Sequence, residues 1–232
     1  MKISTVHCFF EESGTFKRQF QKIGVEAIDY DISNRFDKTD VQIDLFYQIE
    51  RAYDNKSSIF DYISKDDLIM AFFPCIRFTC QAELLFTGKS YSMKKWSIER
   101  KLEYDLNLHN ELSELYNLIT KLTLVCLKRG LRLIIENPYS HPHYLTKYWA
   151  LQPSIIDHDR TKHGDFFKKP TQYWFINCKP ECNYIDPLKF DEECKIVKRI
   201  IDTAHKDRSL ISYKYAEYFI KSYILGGEND DT

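Results

Sequence analysis

Asp67-Leu68-Ile69-Met70-Ala71-Phe72-Phe73-Pro74-Cys75 decides the fold. It opens as a near-continuous apolar run entered from a charged turn, which is how a strand buried on both faces of a parallel sheet reads. The run ends at Phe73-Pro74-Cys75. Leu131 to Ile135 repeats the pattern and ends at Glu136-Asn137-Pro138. Between the two, Leu106 to Arg129 is predicted to be a helix, with Leu112, Leu115, Leu118, Ile119, Leu122 and Val125 on one face and a stop at Gly130.

The pattern extends outward on both sides. Ile3 to Phe10 reads as a strand, Glu11 to Thr15 as a polar turn, and Phe16, Phe20 and Ile23 as a helical stripe stopped by Gly24. Val25 to Tyr30 is a second strand, running into Asp29-Tyr30-Asp31. Val41 to Leu45 is a short third strand that contains Asp44, and a helix through Tyr47 to Tyr53 follows. Downstream lie two short strands, Ser154 to Ile156 and Gln172 to Asn177, then helices over Asp191 to His205 and Ser212 to Leu225. Alternating strands and helices predict an α/β fold with a mostly parallel sheet. A single domain over residues 1–225 is expected, with a flexible tail at 226–232.

The bulk numbers agree. The chain has 232 residues and a 44% hydrophobic fraction, enough for one sizeable core. A net charge of −1 excludes a histone-like polycation but leaves room for a local basic cleft. The start, MKISTVHCFF, carries no long apolar stretch, and no run is long enough to span a membrane. With seven irregularly spaced cysteines, a cytoplasmic chain with free thiols is expected.

In α/β folds, ligands bind beyond the carboxyl ends of the strands. The polar residues gather at those ends: Glu11 to Thr15, Asp29, Asp44, Cys75 and Glu136. If the strands leading to Cys75 and Glu136 are neighbours, a thiol and a carboxyl face one pocket. Taken singly, such a cysteine is usually a small buried hydrophobe, and a glutamate before Asn-Pro a turn residue. Together they match a definite chemistry. A thiolate added at C6 of a pyrimidine makes C5 nucleophilic, and a carboxylic acid held against N3 stabilises the adduct. The thiol needs a lowered pKa or a base at the moment of attack.

Two stretches are basic. Arg77 to Lys101 holds six basic residues against two acids, and His158 to Lys169 holds four against two. The first, within a loop over 76–104, carries Phe78, Tyr91 and Trp96, a composition suited to a phosphate backbone and a flipped base, though an ordinary solvated loop reads the same way. Cys178, Cys182 and Cys194 raise a zinc site, but a fourth ligand is not evident and no metal is expected. Serine-hydrolase, P-loop and dinucleotide-loop patterns are absent from the sequence.

The order of these segments resembles the C5-type DNA cytosine methyltransferases, and most closely their compact phage-borne relatives. His7-Cys8-Phe9-Phe10-Glu11-Glu12-Ser13-Gly14-Thr15-Phe16 stands where the family has its Phe-x-Gly-x-Gly cofactor loop, with Glu12 and Thr15 in place of glycines. Asp67 through Cys75 looks like the Pro-Cys motif, and Glu136-Asn137-Pro138 like the Glu-Asn motif. His163 to Trp174 is similar to the Tyr-Gly-x-x-x-x-Lys-Pro-Thr-x-x-Trp segment, and Asp207 to Ile211 to the final motif. The resemblance implies a Rossmann-like S-adenosylmethionine-dependent methyltransferase fold with helices on both faces of the sheet.

It further implies that Cys75 attacks C6, that Glu136 contacts N3, and that Arg160, Lys168 or Lys169 steadies the flipped cytosine. Phe10, Glu12, Gly14, Thr15, Phe16, Asp29, Tyr30, Asp44, Phe73, Pro74 and Arg208 would hold the cofactor, and Arg77, Asn137, Pro138 and Lys168 the substrate. The 178–207 segment is too short for a recognition domain of ordinary size. The expected activity is methylation of C5 of cytosine in DNA. Two rival readings are a catalytically idle relative that binds DNA or a protein partner, and the same chemistry on a free pyrimidine nucleotide or RNA.

Overall fold

The structure is a computed structural model that describes residues 1–79, 82–181 and 210–226. It is an α/β fold built on one seven-stranded, mostly parallel sheet of order β3-β2-β1-β4-β5-β7-β6. The strands are β1 Thr5–Phe9, β2 Glu26–Asp31, β3 Val41–Gln42, β4 Leu68–Phe72, β5 Arg132–Pro138, β6 Ile155–Asp157 and β7 Thr171–Ile176. The first five are parallel. β7 is antiparallel to both β5 and β6. The helices are α1 Thr15–Lys22, α2 Leu45–Tyr53, α3 Glu83–Phe86, α4 Ile98–Arg129, α5 Tyr144–Tyr148 and α6 Tyr213–Phe219.

The chain lays β2 and β3 to one side of β1 and then returns to place β4 and β5 on the other. Loops leaving β1 and β4 therefore diverge at the carboxyl edge, which opens a crevice between them. The side chains of β1, β4 and β5 alternate into two cores. On one face, Phe9, Ile69, Ala71, Leu133 and Ile135 meet Ile49 of α2 and Leu118, Ile119 and Leu122 of α4. On the other, Val6, Cys8, Leu68, Met70 and Ile134 meet Phe16 and Phe20 of α1 and Ala216 and Phe219 of α6.

Several boundaries differ from those predicted, each for a physical reason. The third strand ends at Gln42, and Asp44 is the N-cap of α2, its carboxylate accepting from the Tyr47 amide at 3.1 Å. β5 runs on through Glu136, Asn137 and Pro138, because β7 pairs with all three. The stretch from 76 to 104 is not one loop: it contains α3, a 3-10 turn at Tyr91–Met93 and the first turns of α4. Ser97 caps α4 by accepting from the Arg100 amide at 3.2 Å, and the helix begins at Ile98, eight residues before the predicted start at Leu106. The final helix splits into α6 and a π-helical segment, Ile220–Leu225. The predicted helix over Asp191 to His205, most of the 178–207 segment and residues 227–232 of the tail lie outside the described residues. Among the described residues, no helix is long and apolar enough to cross a membrane.

Candidate functional site

The crevice at the β1–β4 switch is a cavity of about 240 Å³. Its walls come from the carboxyl ends of four parallel strands, β1, β2, β4 and β5, and from two further segments, at Lys169 and at Leu210–Ile211. β4 and the loop after it deliver Phe72, Phe73, Pro74 and Cys75, β5 delivers Glu136 and Pro138, and the segment leading into β7 delivers Lys169. The register explains the meeting. Phe72 lies beside Glu136 in the parallel β4–β5 pair, so Cys75 leaves the sheet next to the carboxylate. β7 runs the other way, so Lys169 arrives at the same edge from its amino end.

The loop after β4 is held in place. Asn137, fully buried, donates from Nδ2 to the Phe73 carbonyl at 2.7 Å and to the Glu136 carbonyl at 3.0 Å. The Cys75 carbonyl accepts from the Phe78 amide at 2.9 Å, closing a turn. Asn137 thus reads as an anchor for the cysteine loop, not a group aimed at a substrate. Burial pushes the Cys75 thiol up, the Lys169 ammonium pulls it down, and the Glu136 carboxylate pushes it further up. The resting group is a thiol. The Glu136 Oε1 atom is buried and has no hydrogen-bond partner among the described residues, an expensive arrangement unless a ligand completes it.

The other half of the cavity is built by the β1 and β2 loops. Phe10, Glu11, Glu12 and Ser13 come from the first, and Asp31, Arg35 and Phe36 from the second. Phe10 and Gly14 both take positive φ, 60° and 62°, which turns the chain back onto α1. A Cβ at Gly14 would sit 3.3 Å from the Lys17 side chain and 3.4 Å from Asp29 Oδ2, so glycine is retained there for both backbone and space. Glu12 does not point its charge freely into the cavity. Its carboxylate accepts from Ser33 Oγ at 2.5 Å and pairs with Arg35 at 2.5 Å, clasping the two loops together.

Glu11 caps α1, accepting from the amides of Phe16 at 2.5 Å and Lys17 at 3.1 Å. Burial nevertheless pushes its carboxyl up to about 7. Above the ordinary glutamate range, the folded chain keeps a proton there that the unfolded chain has released. Stability from this group is therefore full at acid pH and falls as pH rises towards about 7, by up to about 1.4 kcal/mol per pH unit. Glu11→Gln is expected to flatten that decline in melting curves recorded from pH 4.5 to 7. An unchanged slope would show that Glu11 does not titrate in this window.

Several expected site residues lie elsewhere. Asp29 is fully buried beneath Gly14 in an ion cluster with Lys17, which also reaches Asp40, both at 3.0 Å. Asp31, two residues on, is the acid that lines the cavity. The Tyr30 hydroxyl bonds His7 Nδ1 at 3.0 Å, away from the cavity lining. Phe16 is core, against Phe72 and Phe219, and Thr15 bonds Ser13 Oγ at 3.0 Å. Arg160 is fully buried, ion-paired to Asp165, with its guanidinium 4.7 Å from the Tyr215 ring centroid. It does not line the cavity. Arg77 pairs with Glu111 at 2.6 Å, and the exposed Lys168 with Asp159 at 3.7 Å. Arg208, Cys182 and Cys194 lie outside the described residues. Among the described residues, no cluster of His, Cys, Asp and Glu has the makings of a metal site.

Sequence reasoning did not single out Asp31, Arg35 or Phe36, and it named Leu210 and Ile211 only as part of the final motif; all five line the cavity. Asp31 carried a signal, as the last acid of Asp29-Tyr30-Asp31. Leu210 and Ile211 reach the site because the chain after them is tied down: Asp165 accepts from the Ser212 amide at 2.9 Å, and Ser212 Oγ donates to the Gly164 carbonyl at 2.7 Å. A scan against models of known protein families finds no match, and neither does a comparison with curated proteins.

Proposed function

We propose that this chain is an S-adenosylmethionine-dependent methyltransferase acting on C5 of cytosine in DNA. The observation that carries the reading is the convergence of Cys75, Glu136 and Lys169 on one cavity at adjoining strand ends. The reversal of strand order above the cavity and the helices on both faces support a Rossmann-like methyltransferase fold.

The cavity's second half fits the cofactor. Asp31 is a half-buried acid suited to a ribose diol, Phe10 and Phe36 offer aromatic surface, and the Glu12–Arg35 pair presents both charges to an amino-acid end. Bound S-adenosylmethionine supplies an electrophilic methyl group. The protein's own residues do the rest. Cys75 Sγ gives its proton to water, and the thiolate, steadied by the Lys169 ammonium, bonds C6 of the cytosine. The Glu136 carboxyl, whose Oε1 has no partner among the described residues, engages N3, so the added electron density gathers at C5. Once C5 carries the methyl group, water takes the C5 proton, the C5–C6 double bond re-forms as the Sγ–C6 bond breaks, and the departing thiolate takes up a proton from solvent. A base inside a duplex cannot reach Cys75, so the cytosine is extruded or single-stranded.

The test is incubation with radiolabelled S-adenosylmethionine and DNA, in parallel with DNA carrying 5-fluorocytosine, whose C5 cannot release a proton. Label on C5 of cytosine, and a denaturation-resistant protein–DNA complex with the fluorinated strand, are the expected results. Absence of both, with no S-adenosylmethionine binding by calorimetry, would leave the chain a non-catalytic binder. Label on dCMP or RNA alone would reassign the acceptor.

A further inference from the structure

We propose that Tyr139, His141 and His158 form a stacking platform for the nucleotide next to the target base, which makes the substrate a single-stranded stretch of nucleic acid, not a free nucleotide. The proposal rests on the reading of Cys75 and Glu136 as a base-modifying pair, but it concerns residues outside their cavity. Pro138 and Asp157, the last residues of β5 and β6, both lie opposite Thr171, the first of β7. The residues that follow them, Tyr139 and His158, and those that precede Thr171, Lys169 and Pro170, are thereby gathered at one edge. The Tyr139 amide donates to the Pro170 carbonyl at 2.8 Å. The Tyr139 ring meets His158 at 5.4 Å and His141 at 5.8 Å between centroids, edge to face in each case.

This edge adjoins the proposed active site, since Pro138 and Lys169 both line the cavity. The cluster is wet: His141 and His158 are exposed and Tyr139 is half-buried. Core packing therefore does not explain three rings in contact here. Lys168 and the exposed Phe166 stand on the same segment as Lys169. Aromatic rings beside lysines are what a flexible polyanion of stackable bases requires, and such stacking tolerates any base because each has a π-face. A free nucleotide with its base at Glu136 leaves the platform unused. A duplex keeps the neighbouring base stacked on its own partners, so an unpaired strand fits best.

The experiment is fluorescence anisotropy with a labelled single-stranded deoxyoligonucleotide containing one cytosine, on the full chain, without cofactor. Tyr139→Ala and the exposed His158→Ala are each expected to weaken binding by at least about fivefold, the effect of losing one stacked base, while Tyr139→Phe binds within about twofold of wild type. A ribo-oligonucleotide of the same sequence, run in parallel, identifies by the tighter binding which kind of strand the platform serves. Unchanged affinity in Tyr139→Ala at intact melting temperature, or tighter binding of the matched duplex, would overturn the platform. The Cys75→Ala protein is measured alongside. If it still methylates, the catalytic reading falls while the binding result stands. If wild type methylates cytosine and Tyr139→Ala binds normally, the platform alone falls.

Discussion

Cys75→Ala is expected to reduce methyl transfer to cytosine by at least about a thousandfold, the scale on which removal of a covalent nucleophile acts. Without the sulfur, C5 is not activated and no compensating group is at hand. Among the described residues, Cys75 is the thiol that lines the cavity: Cys8 and Cys126 are buried in the core, and Cys178 bonds the Ile176 carbonyl beneath β7. The fold is expected to survive. The side chain is partly exposed, and its loop is fixed by Asn137 through the backbone of Phe73, not through the thiol. A melting temperature close to wild type, beside lost transfer and a lost 5-fluorocytosine adduct, is the predicted signature. Transfer at the wild-type rate would remove Cys75 from the chemistry.

The second large effect falls on stability. Asp165→Ala is expected to destabilise the protein by about 3–5 kcal/mol in urea unfolding, because it strands the fully buried Arg160 guanidinium without its carboxylate. The same substitution removes the acceptor for the Ser212 amide, which ties down the segment carrying Leu210 and Ile211 over the cavity. Replacing both partners, Arg160→Met with Asp165→Leu, is expected to recover the part of the loss due to the stranded guanidinium, since apolar groups of similar shape need no partner, but not the part due to the Ser212 amide. A single Asp165→Ala variant within about 1 kcal/mol of wild type would show that the pair is not desolvated as drawn.

The central strands were legible because β4 and β5 are buried on both faces, so their sequences are unbroken apolar runs bounded by charge. The meeting of Cys75 with Glu136 followed from those runs once they were taken as neighbours. The choice between Asp29 and Asp31 was not legible. The two lie on the same side of one strand, and only the register with β1 decides: Asp29 pairs with Cys8 inside the sheet, while Asp31 passes the end of β1. Arg160 misled for a related reason. A basic residue in a polar stretch reads as solvated, but a 3-10 turn aims it inward at an acid five residues later. The start of α4 was hidden because Ile98, Leu102 and Leu106 are exposed, so the periodicity that marks a core-facing helix begins only after them. The fate of Glu12 depended on Arg35, from a different loop, a long-range pairing that no local pattern announces.

One consequence follows from the reversed direction of β7. As the chain leaves the ribosome, Cys75 and Glu136 emerge before Lys169 and stand at the ends of neighbouring strands. Lys169 is brought to them only when β7 pairs back onto β5, and Leu210 and Ile211, which complete the lining, come later still. A chain folded only through β5 would thus expose the Cys75 thiol without sheltering it, and the cavity closes around it in successive stages.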